Sequence, residues 1–274
     1  MIPKKIHCVW PDKDNKSKLY KICYKSWQET LPNDWEIMEW NPSTFDVEKH
    51  RKNNRFFDFV CEKKLYAFCS DYIRTVVLYE QGGIYLDTDV TLLKPFSDEM
   101  LLNKMILPIQ NGTQVEPAIW GAEAKHPFTK SILEFYQDEI WQNPEYILPD
   151  ICMKKLGETY NIYRFERNKE KQQIFTTQDG EITFYPEKYF IPFRAGEHYK
   201  PDCIEDETVA IHWFNGSWTD KEHLDFLKTK HQKKVHPKIQ LFRKYFGLKF
   251  NLKNKAIWVK LFGKKINILN RVNI

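Results

Sequence analysis

No stretch of this 274-residue sequence approaches the eighteen or more consecutive apolar residues that a membrane-spanning helix needs. No apolar leader precedes the opening "MIPKKIHCVW", which reads directly as a first strand, so the expectation is a cytoplasmic chain. The six cysteines (Cys8, Cys23, Cys61, Cys69, Cys152 and Cys203) form no CxxC pair. That argues against a zinc site, and without a leader they read as reduced thiols. There is no internal repeat. There is also no Asp or Glu from Phe226 to Ile274, a stretch holding fourteen Lys and Arg. Residues 1–225 hold 28 basic and 37 acidic residues, a net of −9, so the overall +5 conceals an acidic body with a basic tail. An acidic body is a poor nucleic-acid surface, and nucleic acid is excluded as the partner.

What is present is an ordinary globular composition, 42% apolar and 29% charged, enriched to 15% in aromatics with nine tryptophans. Aromatic rings fill cores but also make flat platforms for sugars and bases. The length suits one sizeable α/β domain with an appendage, divided here as a body over 1–225 and an extension over 226–274.

The periodicities follow an α/β order. "KKIHCVW" (4–10) reads as a first strand, and Leu19, Ile22, Cys23, Ser26 and Trp27 recur at helical spacing until Pro32. "DWEIMEWN" alternates as a second strand, followed by the turn "NPSTFD". Residues 60–81 read as one helix, with an apolar stripe through Leu65, Phe68, Cys69, Tyr72, Ile73, Val76 and Val77, ended by a left-handed cap at Gly82–Gly83. "IYLD", "KMILPI" (104–109) and "AIWGAEA" (118–124) read as strands, and a further helix opens at Pro127. "EITFYPEKYFIPF" reads as strands and loops, and "ETVAIHWF" (207–214) as a last buried strand before the loop "NGSW". Alternating strands and helices with short loops predict a mostly parallel sheet covered by helices.

The chemistry concentrates in "GGIYLDTDV", residues 82–90. In a strand, residues two apart share a face, so Asp87 and Asp89 can converge at the strand's C-terminal end, where open α/β sheets bind ligands. Two such carboxylates repel unless a divalent cation joins them, and their oxygens suit Mg²⁺ or Mn²⁺, ions that commonly also hold substrate phosphates. A solvated loop with two aspartates is the competing reading. Asp71 and Arg74, three apart, share a helix face among apolar neighbours, and could either form a surface ion pair or hold sugar hydroxyls. His212 ends a buried strand, as a ligand or as a hydrogen-bonded core histidine.

The segments "IPKKIHCVW", "SWQETLPNDWEIMEWN", "FCSDYIRTVVLYEQGGIYLDTDVTLLKP" and "AIHWFNGSW" together resemble the DXD-containing glycosyltransferases of family 32, and distantly the catalytic domains of the clostridial glucosylating toxins. The resemblance spans residues 2–218. It implies a GT-A fold, a UDP-sugar donor, Mn²⁺ (or Mg²⁺) and retention of anomeric configuration. The implied donor sugar is a hexose such as galactose or glucose, or an N-acetylhexosamine. Carried over by position, Val9 and Trp10 meet the uracil, Ser70 approaches the ribose, and Asp71 and Arg74 hold the donor sugar. Tyr85 and Asp87 lie at the nucleotide, Asp89 is the direct metal ligand, His212 or Ser217 is a further ligand, and Trp218 meets the diphosphate. Asp71, Arg74 and Asp89 are the residues expected to carry catalysis. The implied acceptor is a glycan or lipid-linked saccharide in bacterial capsular or exopolysaccharide synthesis. The chain departs from the family's pattern in "QVEPAIWGAEAKHPF" and in "LPDICM", regions that line the sugar and acceptor pockets.

The tail reads as a basic amphipathic helix over 255–272. Trp258, Phe262, Ile266 and Leu269 fall on one face, and Lys260, Lys264 and Arg271 fall away from it. Such a helix either docks on an anionic inner membrane leaflet, making the enzyme peripheral there, or packs its apolar face on the body. Two other functional classes compete. "YLDTDVT" resembles the strand end of haloacid-dehalogenase-type phosphatases, in which one aspartate is a nucleophile; a non-catalytic sugar-binding module is the other.

Overall fold

A computed structural model describes residues 1–11, 15–138, 147–216, 247–251, 256–261 and 264–269. The chain divides into two compact units, Met1–Asp220 and Lys221–Ile274.

The first unit opens on β1 (Lys5–Val9), α1 (Lys18–Thr30) and β2 (Glu36–Trp40), as the periodicity predicts. Ser17 caps α1 by accepting from the Tyr20 N–H, and the helix stops two residues before Pro32. Two helices then stand where the sequence suggests one. After α2 (Val47–Asn53), α3 runs over Arg55–Glu62 and α4 over Tyr66–Gln81. The break is a Schellman turn. The Leu65 N–H donates to Val60 O at 2.8 Å and the Lys64 N–H to Cys61 O at 3.1 Å, with Lys64 in the left-handed region at φ 55°. Glycine usually marks that position, and a lysine there hides the helix end from a reading by composition.

From α4 the chain turns through Gly82 into β3 (Gly83–Leu86), β4 (Val90–Leu92), α5 (Asp98–Leu102), β5 (Met105–Gln110), β6 (Gln114–Val115) and β7 (Ile119–Ala122). Gly82 has φ 64°, and a Cβ there would sit 2.6 Å from the Ala124 backbone nitrogen, so the turn requires glycine. Then come α6 (Pro127–Asp138), α7 (Leu148–Tyr160), β8 (Phe175–Thr176), β9 (Thr183–Tyr185), α8 (Glu187–Phe190) and β10 (Ala210–His212). The α7 helix covers "LPDICM", where no regular element was expected, and "YPEKYF" contains one helical turn rather than strand and loop alone.

The main sheet has the order β2-β1-β3-β7-β5-β9-β8, with β6 paired to β5. Parallel pairing of β1 with β2 and β3, and of β5 with β9, leaves β6, β7 and β8 as the strands that oppose the common direction. The last buried strand departs from expectation. β10 lies outside the main sheet and pairs antiparallel with β4, His212 opposite Val90. Ile6, Cys8, Ile84, Leu86, Val90, Leu92 and Ala210 share one core with Tyr20, Cys23 and Trp27 of α1. The Trp27 indole donates to Val90 O at 2.8 Å, fixing α1 against β4. Among the described residues no helix is long and apolar enough to cross a membrane.

The second unit corrects the expected helix. Its described residues form three antiparallel strands, β11 (Gly247–Asn251), β12 (Ala256–Leu261) and β13 (Lys264–Leu269), in the order β11-β12-β13. "AIWVKL" and "KKINIL" carry β-branched residues at alternate positions, Ile257 and Val259 in one and Ile266 and Ile268 in the other. That period-two pattern outweighs the sparser helical spacing of Trp258, Phe262, Ile266 and Leu269.

Candidate active site

Asp87 and Asp89 sit just beyond the end of β3, but strand alternation is not what brings them together. The strand stops at Leu86, and residues 87–90 form a turn closed by the Val90 N–H donating to Asp87 O at 3.0 Å. The turn leads straight into β4, so the antiparallel β4–β10 pair delivers His212 to the same place. The ladder continues past it, with the Trp213 N–H donating to Asp89 O at 3.0 Å. One ligand atom each from Asp87, Asp89 and His212 lies within 4.8 Å of the others.

Each carboxylate has its own environment. Asp87 Oδ1 accepts from Arg74 Nη2 and from the Tyr85 hydroxyl, both at 2.9 Å. Burial still pushes its pKa up, with Arg74 pulling the other way and Asp89 adding repulsion. Asp89 Oδ2 accepts the Asn215 backbone N–H at 2.8 Å, while Oδ1 lies 3.4 Å from His212 Nε2. Burial would raise Asp89 as well, but the His212 bond and charge outweigh it and hold the carboxyl below its usual range. The imidazole responds in kind. Burial alone would lower His212, but the bond to Asp89 and the charges of Glu116, Asp89 and Asp87 push it up to about 9. A cation bound there takes the place of that proton. Two carboxylate oxygens and an imidazole nitrogen in this spacing form a donor set suited to a divalent cation.

Arg74 organises the side of the site that faces α4. It is 5% exposed and reaches from α4 across three elements. Nη2 contacts Asp71 Oδ1 at 3.1 Å as well as Asp87, and Nη1 donates to Pro117 O at 2.7 Å. Its guanidinium lies 4.2 Å from the Tyr85 ring centroid. A planar fork on an aromatic face is an arrangement lysine cannot reproduce. Ser70, half-buried, precedes Arg74 by one helical turn.

Val9 and Trp10 stand at the same end of the sheet. Residue His7 pairs with Tyr85 in the parallel β1–β3 register, which places Val9 level with Asp87. Val9 is buried, and the Trp10 ring lies parallel to Tyr20 with centroids 4.9 Å apart. Ser217 and Trp218 lie outside the described residues. The sequence reading assigned no role to the Pro117 carbonyl or to the Asn215 backbone N–H. Neither carries a side-chain signal, because both act through the main chain.

Residues 17–109 match the family model described as a glycosyltransferase sugar-binding region containing a DXD motif. The chain is 24% identical over 158 residues to human alpha-1,4-N-acetylglucosaminyltransferase, covering 56% of this chain and 44% of that protein. It is 27% identical over 130 residues to inositol phosphoceramide mannosyltransferase 1 of Schizosaccharomyces pombe, covering 46% and 40% respectively. The chain thus spans less than half the length of each of these relatives. Among solved structures it is similar to the PaToxG glycosyltransferase, with a TM-score of 0.47 and 19% identity over 57% of this chain and 68% of that one. Over residues 17–109 the chain is thus similar to glycosyltransferases that contain a DXD motif, and that segment holds the strand end and the two aspartates of the site. Its DXD is Asp87-Thr88-Asp89.

Proposed function

We propose that this chain transfers a sugar from a UDP-sugar to a glycan or lipid-linked saccharide, with retention of configuration and with Mn²⁺ held by Asp87, Asp89 and His212. The observation that carries the reading is the convergence of those three side chains at the end of β3. Imidazole beside two carboxylates favours Mn²⁺ over Mg²⁺, since magnesium prefers an all-oxygen shell. When bound, the cation would act as a Lewis acid on the departing diphosphate.

The chain's own residues do the rest. Asp89, held charged by His212 and the Asn215 N–H, is the direct ligand. Asp87, shared with Arg74 and Tyr85, serves both cation and nucleotide. Asp71 presents its carboxylate to the donor sugar in a position set by Arg74, and Val9 and Trp10 receive the base at the neighbouring strand end. Ser217 and Trp218, outside the described residues, are assigned by the resemblance alone to the cation and the diphosphate. The phosphatase alternative leaves His212 and the Arg74–Asp71 pair without a role, and a binding module leaves the cation without one.

Both relatives named above are eukaryotic. One name carries N-acetylglucosamine and the other mannose and a lipid acceptor. The acceptor class proposed is therefore glycan or glycolipid, and the donor screen includes UDP-N-acetylglucosamine and GDP-mannose beside UDP-glucose and UDP-galactose. The test is nucleotide release from each donor by the full chain with Mn²⁺. Release from one donor, stopped by EDTA, is the expected result; no release from any donor, or release indifferent to EDTA, overturns the reading. Proton NMR of the transferred sugar reports the anomer, and an inverted product overturns retention.

A further inference from the structure

A third buried carboxylate stands beside the two of the DXD. Glu116 lies between β6 and β7 and is 8% exposed. Its main chain is tied on both sides, the N–H donating to Pro108 O at 2.9 Å and the carbonyl accepting from Ile119 at 3.3 Å. Its Oε1 accepts from the Ala118 N–H at 3.2 Å. The other oxygen, Oε2, lies 3.7 Å from His212 Nδ1, an ion-pair distance rather than a hydrogen bond. That Nδ1 is buried and makes no hydrogen bond among the described residues.

Packing alone does not account for this side chain. Burying a carboxylate is costly, and Asp87 adds repulsion, so a neutral residue of similar size would suit a purely structural role better. The geometry supplies another role. His212 has two ring nitrogens with different neighbours: Nε2 faces Asp89 of the DXD, and Nδ1 faces Glu116. A ligating histidine almost always gives its other N–H to a carboxylate or carbonyl, which sets the tautomer, the ring orientation and the basicity of the ligating nitrogen.

We infer that Glu116 is a positioning residue of the cation site, its carboxylate facing the His212 Nδ1 at 3.7 Å and favouring a proton on that nitrogen, so that Nε2 is the one presented between Asp87 and Asp89. This rests on the metal reading above and extends it to a residue outside the ligand set. Glu116 touches neither cation nor donor in this role; it acts through His212.

The experiment is Mn²⁺ binding to the full chain without donor, followed by the EPR signal of free Mn²⁺, for the native protein, Glu116→Gln, Glu116→Ala and Asp89→Ala. Thermal unfolding of each variant accompanies it. Glu116→Gln keeps an oxygen that can accept from Nδ1–H but loses the charge, whereas Glu116→Ala loses both. The expected order of affinity is native, then Gln, then Ala, with Ala weaker by about 10–100-fold, and with the Mn²⁺ concentration for half-maximal donor hydrolysis rising in parallel. If Glu116→Ala does not fold, the Gln variant carries the test alone. Native affinity in the folded variants, with Asp89→Ala still losing Mn²⁺, overturns the role of Glu116 and leaves the metal site standing. Failure of the native chain to bind Mn²⁺ overturns both.

Discussion

Arg74 holds Asp87 across the gap between α4 and the end of β3, Nη2 to Oδ1 at 2.9 Å, and the same nitrogen reaches Asp71 at 3.1 Å. One buried cation thus spaces the acid of the helix from the first acid of the DXD. It also neutralises part of a site in which Asp71, Asp87, Asp89 and Glu116 gather. Arg74 therefore arranges carboxylates, and its own nitrogens are largely taken up by protein acceptors.

Replacing Arg74 should consequently damage stability as well as turnover. Arg74→Ala leaves buried carboxylates without their partner, a change that typically costs about 3–5 kcal/mol. Arg74→Lys should also fail to restore activity, because a single ammonium cannot reach Asp71, Asp87 and Pro117 O while lying on the Tyr85 ring. Urea denaturation and donor hydrolysis check the two halves. A fully stable, active lysine variant would remove Arg74 from the organising role.

The two aspartates of the DXD should fail differently. Asp89→Ala removes the ligand bonded to the Asn215 N–H and His212, and hydrolysis should fall by roughly a hundredfold or more, a barrier increase of about 3 kcal/mol. Raising Mn²⁺ should not rescue it. Asp87→Ala additionally frees Arg74 and the Tyr85 hydroxyl, so it should weaken donor binding and lower the melting temperature further. Isothermal titration with UDP and thermal unfolding separate the two variants; identical profiles would contradict the division of roles.

His7 provides a pH test away from the cation site. Its Nε2–H donates to Gly82 O at 2.7 Å, and its Nδ1 accepts the Trp40 indole N–H at 3.0 Å, so the neutral ring is fully used. Burial drives its pKa down to about 4 from 6.5, against the opposing pull of the Gly82 carbonyl. The folded value lies below the unfolded one, so the unfolded chain binds the extra proton first. His7 should leave stability undiminished above pH 6.5 and erode it as pH falls towards 4. The slope is about 1.4 kcal/mol per pH unit. Urea unfolding between pH 7 and pH 4 measures it, and His7→Gln should flatten that part of the curve. An unchanged slope in the variant would assign the acid sensitivity elsewhere.

Lys64, at φ 55°, occupies a position glycine fills without strain. Lys64→Gly should stabilise the protein by up to about 1 kcal/mol, the left-handed penalty of a side chain less the entropy of glycine. Chemical denaturation reads the change directly, and a loss of stability would mean that the lysine side chain contributes contacts of its own.

The basic extension should bind anionic surfaces through charge. Fourteen Lys and Arg without an acidic residue from Phe226 onward predict co-sedimentation of the full chain with vesicles containing anionic lipid. Binding should fall steeply as salt rises, because the Debye length shrinks. Equal binding to neutral vesicles, or no effect of salt, would exclude the electrostatic mode.

Much of this was legible along the chain because it is local. The period of two in "KIHCV" and "EIMEW" and the stop at Pro32 need no distant partner to be read. The same holds for the two glycines after α4 and for the spacing of Asp71, Arg74, Asp87 and Asp89. Other features were ambiguous locally. Lys64 ends a helix in a conformation its type rarely adopts, and "AIWVKL" fits either period until its pairing with β11 and β13 decides for strand.

What only the tertiary structure decided is how distant segments meet. The residue type names His212 as a candidate, but nothing in its sequence position says that one imidazole faces Asp89 with Nε2 and Glu116 with Nδ1. That follows from β10 leaving the main sheet to pair with β4, and from β6 and β7 holding Glu116 beneath it. Sequence determines which groups can bind a cation or carry a charge, since that is intrinsic chemistry. Distances between groups far apart in the chain are set by strand pairing and by the burial of Leu86, Val90 and Ala210 in one core.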